Sequence, residues 1–284
     1  GGLHRFENFS ENDNNQNPTI REAFKKSMNL PFIRIIREVI RFHMFDMPGS
    51  DRTILLDPEH PARHEYLARF ADFEGTVFLG QFWFKYQGLD QKTAFRKFLR
   101  SRKWTPKTLI AAYRVVFPDH DIYTVNSVVN EVYGPVAFST EQAIFNDVDP
   151  ARWPSWNDRA YLAGCHPLEL WLLSELGQNP DLTLRTAVDT SANLRQEIYS
   201  WLFKTSRKQA QDTRIRIMLE QDAFAQLHAQ WKRLGYPFDR LVASYATAIG
   251  SSADRPDALA DLMGIVINGG VKLAKTRISS IHFA

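Results

Sequence analysis

Apolar residues recur at intervals of three and four through most of this chain, which is the period of amphipathic helices rather than strands. The clearest instance lies between Pro31 and Met44. There Phe32, Ile35, Ile36, Val39, Ile40 and His43 fall on one face, and Arg34, Arg37, Glu38 and Arg41 fall on the other. A shorter helix precedes it, with Ala23, Phe24 and Met28 on its apolar side. Thr19 stands three residues before Glu22, the spacing of a capping box, and marks where that helix starts. Between the two comes Ser27-Met28-Asn29, followed by Pro31. Proline cannot continue a helix but starts one well, and it biases the residue before it away from helix. The pattern therefore predicts two helices with a break. The break leaves one hydroxyl and one carboxamide, two residues apart, on a tight connector held at both sides.

The rest of the chain follows in the same way. Residues 4–18 are polar and turn-rich and read as extended chain, with Phe6 and Phe9 to pin it down. A helix is expected where Tyr66, Leu67, Phe70 and Phe73 share a face. The aromatic run 76–88 fits a helix or a short strand equally well. Thr105 caps a helix that opens on Pro106 and buries Leu109, Ala112, Tyr113 and Val116. A second helix carries Val125, Val128, Val129 and Val132. Residues 134–158, with three prolines, read as an ordered loop. Further helices are expected from about Pro167, around Leu194, Ile198, Trp201 and Leu202, and along Ile217, Phe224, Leu227, Trp231 and Leu234, with Gly235 as the stop. Asn268-Gly269-Gly270 suits a tight reversal, and 271–284 alternates enough to be a strand. The class is mainly α, of α+β type with few strands.

Composition narrows the function. The 284 residues carry a net charge of only +3, which gives no strong electrostatic case for nucleic acid but leaves room for local basic patches. The helix pair from Thr105 to Val132 is spaced like a DNA reader. Its second helix exposes Asn126, Asn130 and Glu131 and almost no positive charge, so DNA is not the expected partner. The single cysteine, Cys165, excludes an internal disulfide and a cysteine metal cluster; it reads as a small buried apolar residue. His60 and His64 have the spacing of two helical ligands, but Pro61 lies between them and no third ligand is evident. They read as surface histidines, and no metal is expected. Arg207, Lys208, Arg214 and Arg216 read as a solvated helix face. No run approaches the roughly 20 apolar residues that span a bilayer. The chain opens on Gly1-Gly2 and reads as a piece of a longer polypeptide.

A Ser-x-Asn triplet is weak by itself, because Ser10-Glu11-Asn12 and Ser191-Ala192-Asn193 share the spacing and because Ser and Asn are favoured at helix ends. The flanks add to it. Thr19, Arg21, Glu22, Ala23, Ser27, Asn29 and Pro31 together resemble the segment around the second active-site motif of penicillin-binding transpeptidase domains of the bifunctional, class A-like type. A similar likeness returns after Phe224, through Arg233-Leu234-Gly235-Tyr236 and Asn268-Gly269-Gly270. The resemblance implies a transpeptidase-like segment over 1–45, a helical insertion over 46–222, and a second transpeptidase-like segment over 223–284. It implies serine acyl transfer in peptidoglycan cross-linking, with no cofactor. Stem peptides and β-lactams would be the partners of a periplasmic, membrane-anchored parent. Ser27 and Asn29 are the site residues carried over: the hydroxyl to relay a proton, the amide to hold the peptide. In that family the nucleophile lies in Ser-x-x-Lys and a Lys-Thr-Gly strand completes the site. Here no Ser has Lys three positions on, and Lys275-Thr276 is followed by Arg277. Both motifs are expected outside this chain, which alone should be inert. An alternative makes the insertion a non-catalytic docking module for cell-envelope proteins. A third reading is an all-helical cytoplasmic interaction protein.

Overall fold

A computed structural model of the chain describes residues 5–236, 238–251 and 255–274. The described residues are mainly helical and include no strand. In chain order the helices are α1 (Ile20–Lys25), α2 (Asn29–Phe45), α3 (Thr53–Leu56), α4 (Ala62–Tyr86), α5 (Gln91–Leu99), α6 (Pro106–Val116) and α7 (Ile122–Val132). They continue with α8 (Phe138–Asp147), α9 (Trp156–Ala163), α10 (Pro167–Gln178), α11 (Leu184–Thr190), α12 (Ala192–Ile198), α13 (Lys208–Leu234) and α14 (Pro256–Ile267). Short 3₁₀ turns stand at Glu11–Asp13 and Tyr245–Ile249. The expected strand over 271–284 lies for the most part outside the described residues, and 271–274 take no regular form. No described helix is long and apolar enough to cross a membrane.

The chain divides into two compact units, 1–60 together with 215–284, and 61–214. The 61–214 unit is built on α10. Leu168 to Ser174 are all buried, because a helix that is apolar on every side is stable only inside a core. Its exception, Glu169, is 2% exposed and accepts from Lys85 Nζ (2.7 Å), Tyr86 Oη (2.7 Å) and Arg102 Nη2 (2.9 Å). Two cations and a hydroxyl satisfy a carboxylate that would otherwise be too costly to bury. Helices α4, α5, α6, α9 and α12 pack around α10 and one another. Where α4 meets α12 the approach is close. A Cβ on Gly75 would stand 2.6 Å from Arg195 Cδ and 3.1 Å from Arg195 Cβ. The missing side chain lets buried Arg195 lie across α4 and reach Asp72 Oδ1 (2.6 Å), the Val188 carbonyl (2.6 Å) and Ser191 Oγ (2.5 Å).

Several elements depart from the periodicity reading. The aromatic run 76–88 is helical: it continues α4 as far as Tyr86, with Gly75 and Gly80 inside the helix. The stretch 134–158 is not a loop; it holds α8 and the start of α9. Its prolines, Pro135, Pro150 and Pro154, lie outside both helices and so do not interrupt them. On α8, Glu141 is fully buried and accepts from Asn126 of α7. In α2 the buried face is Ile33, Ile36, Ile40, His43 and Met44, while Ile35 is 42% exposed, so the face is rotated from the one the spacing suggested. Phe9 stands fully exposed and pins nothing.

In the other unit, α2 packs against α1 and against the Tyr245–Ile249 turn. Buried His43 meets Gln226 Oε1 of α13 at 3.2 Å, and the Tyr245 ring lies 6.0 Å from that of Phe224. Helix α14 buries only Ala258 and Ile265. Leu259, Leu262, Met263, Val266 and Ile267, at positions that share one side of a helix, are all about half exposed or more.

Candidate functional site

The connector between α1 and α2 forms as its sequence dictates at both ends. Thr19 Oγ1 accepts from the Glu22 backbone N–H at 3.3 Å, and the Glu22 carboxylate accepts from the Thr19 N–H at 2.9 Å. These bonds hold the Glu22 carboxyl below its ordinary range, the Thr19 backbone bond contributing most. The helix closes with the Met28 N–H on the Ala23 carbonyl (2.9 Å) and the Ser27 N–H on the Phe24 carbonyl (3.2 Å). That pair of bonds is a Schellman closure, and buried Ala23 and Met28 supply its apolar contact.

The closure needs a left-handed residue at the position Ser27 occupies, and Ser27 has φ +54°. The same pair of bonds closes α9 at Gly164, α13 at Gly235, the Tyr245–Ile249 turn at Gly250 and α14 at Gly269. Glycine takes that conformation without steric penalty. Among the described residues Ser27 is the one non-glycine residue at positive φ. Its side chain is exposed, and its hydroxyl has no hydrogen-bond partner among the described residues.

Asn29 is the first residue of α2, so Pro31 sits third in the helix rather than opening it. Asn29 is half-buried, and its Nδ2 reaches the Glu7 carbonyl at 3.5 Å. The residue before the helix, Met28, has no side-chain acceptor to cap it. The cap comes instead from Asn8, whose Oδ1 accepts from the Leu30 N–H at 2.9 Å. Asn8 is 7% exposed. It also donates from Nδ2 to the Asp13 carbonyl (2.9 Å) and from its backbone to Asn14 Oδ1 (2.8 Å). The polar segment 7–14 thus braces the connector. Sequence reading missed Asn8, because nothing local distinguishes one Asn in an Asn-rich run when its partner is 22 residues away.

Ser27 and Asn29 therefore stand on one rigid connector, the first in solvent and the second partly covered. Neither lines the cleft between α5, α6 and α7, the one around Tyr86–Gln91 and Leu172–Leu182, or the shallow one at Arg34–Phe42 of α2. A serine hydroxyl becomes a nucleophile only beside a base, and none is bonded to Ser27. The connector alone can offer a hydroxyl and an amide to a ligand; it cannot start acyl transfer.

The remaining candidates are placed as follows. His60 Nε2 meets Asp51 Oδ2 at 2.9 Å, and the His64 ring lies 4.8 Å from that of Phe203. No group of three or more His, Cys, Asp or Glu side chains able to share a metal ion occurs among the described residues. Cys165 is half-buried, and burial pushes its thiol up to about 12, which leaves it protonated and unreactive at neutral pH. Arg207 and Arg214 lie over the Trp201 ring at 5.3 and 5.7 Å, and Lys208 pairs with Asp212 at 2.6 Å. Compared with known protein families, curated proteins and solved structures, the chain matches none.

Proposed function

We propose that the chain is part of a penicillin-binding D,D-transpeptidase-like domain that cross-links peptidoglycan stem peptides by serine acyl transfer. The observation that carries this reading is Ser27. Backbone strain of this kind clusters at functional sites. Four other closures of the same type use glycine, and this one keeps a serine whose hydroxyl is free and solvent-facing. In the proposed site that hydroxyl relays a proton, and the Asn29 amide, fixed at the helix start, holds the peptide. The acylated serine and the Lys-Thr-Gly strand come from polypeptide flanking this segment, in a periplasmic, membrane-anchored parent.

The test is labelling of the full-length gene product with a fluorescent penicillin. The expected result is a covalent label whose rate of formation Ser27→Gly and Asn29→Ala each reduce by roughly 100-fold or more, the size of losing one general acid–base group. A full-length protein that takes no label, or labelling indifferent to both substitutions, overturns the assignment. The first of these outcomes would leave the helical unit as a docking module for envelope proteins.

A further inference from the structure

The 61–214 unit holds a cleft of about 1040 Å³ between α5, the turn that follows it, the end of α6 and α7. One wall is cationic. Lys92 and Arg96 on α5 and Arg100 at its C-cap stand four residues apart on one side, about 6 Å from step to step, and Lys103 follows. All four are exposed, and none forms an ion pair or a side-chain hydrogen bond among the described residues. A fifth cation of the lining, Arg102, is committed to Glu169 and the Gly164 carbonyl. The one carboxylate in the lining is Glu131. This imbalance contrasts with the chain as a whole, where 35 Lys and Arg face 32 Asp and Glu. Like charges at four-residue spacing repel one another, and the C-terminal end of α5, where Arg96 and Arg100 stand, offsets that repulsion.

The other wall is aromatic and fixed. The rings of Phe117 and His120 are stacked, 5.2 Å apart and 8° from parallel. Tyr113 Oη meets His120 Nδ1 at 2.8 Å, and Phe95 sits edge-on to Phe117 at 5.3 Å. Phe117 and His120 are partly exposed. The cleft thus combines unpaired cations, two of them guanidinium forks suited to phosphate oxygens, with a preformed stack against which a ring can lie. Its volume is at the upper end of small-molecule sites.

We propose that this cleft binds a small ligand that carries two or more phosphate groups on a flat ring, of the nucleotide class. The phosphates lie along Arg96 and Arg100, and the ring lies against the Phe117–His120 stack. Consecutive phosphates bring several charges into the short span of the cationic row more densely than a peptide of acidic side chains does. The site is independent of the connector and of the acyl-transfer reading.

The test uses the whole chain, with the N-methylanthraniloyl derivative of ATP as a fluorescent probe at low salt and inorganic tripolyphosphate and a hexaglutamate peptide as competitors. The expected result is saturable binding that tripolyphosphate displaces and hexaglutamate does not. Arg96→Gln with Arg100→Gln should weaken both phosphate ligands by roughly 100-fold, the loss of two charge-assisted hydrogen-bonding groups. Phe117→Leu should weaken the nucleotide and leave tripolyphosphate unchanged. Both arginines are exposed and unpaired, so the double variant should unfold at the wild-type temperature; Lys103→Gln provides a second, milder loss. Absence of saturable binding, binding that the double variant does not weaken, or equal displacement by hexaglutamate would each overturn the proposal. The last outcome would assign the cleft to an acidic peptide.

Discussion

Replacing Ser27 by glycine separates the conformation of the connector from its chemistry. A left-handed backbone costs an L-residue about 1–2 kcal/mol, and Ser27 carries that cost at φ +54°. Glycine removes it but loses more backbone entropy on folding, by roughly 0.5–1 kcal/mol. The hydroxyl has no partner in the described structure, so no hydrogen bond is lost with it. Ser27→Gly should therefore raise stability by about 0.5–1 kcal/mol, equivalent to about 1–4 °C in Tm for a protein of this size. Ser27→Ala retains the Cβ and the strain, and should unfold at or slightly below the wild-type midpoint. Urea titration followed by tryptophan fluorescence reads both. A Ser27→Gly protein less stable than wild type by about 1 kcal/mol would show that the hydroxyl stabilises the fold. Serine would then be kept for structure, and the functional reading of the connector would lose its main support. Stabilisation together with lost penicillin labelling in the full-length protein is the combined result the reading requires.

Three further outcomes are expected. Gly75→Ala should destabilise by about 1–2 kcal/mol despite alanine's better helix propensity. Its methyl meets the Arg195 stem at 2.6–3.1 Å, and overpacking outweighs a gain of about 1 kcal/mol; thermal melts read the difference. Glu169→Gln should cost about 3–5 kcal/mol in urea unfolding, because Lys85 and Arg102 keep their charges around a neutral, buried amide. Asp212 makes stability depend on acid. Burial raises its pKa, but hydrogen bonds from Lys208 and Arg63 outweigh that and hold it below the ordinary 3.8. Its contribution is complete above about pH 4 and is lost as pH falls through the depressed value. Asp212→Asn should flatten that part of the pH–stability curve, and an unchanged curve would place the acid sensitivity elsewhere.

The sequence by itself determined the elements whose causes are local. Thr19 with Glu22, Thr105 with Pro106, and the glycines that close α13 and α14 act within four or five residues of themselves, so their helices could be read directly. The break at Ser27-Met28-Asn29 was legible for the same reason. Tertiary structure decided what depends on partners distant in the chain. Periodicity fixes that α2 has an apolar side, but neighbouring apolar rows differ by one position. Packing against α1 and the Tyr245–Ile249 turn selected Ile33 over Ile35. Helix or strand for residues 76–88 was undecidable while aromatics suited both, and burial of Gly75 under Arg195 belongs only to the folded helix pair. Asn8 became a cap only once chain closure brought it to Leu30. The cationic row of α5 became one wall of a cleft only when the end of α6 and the turn after it set an aromatic wall, Phe117 and His120, opposite it. Charge is written in the residues, but whether a charge is neutralised depends on which neighbours folding supplies.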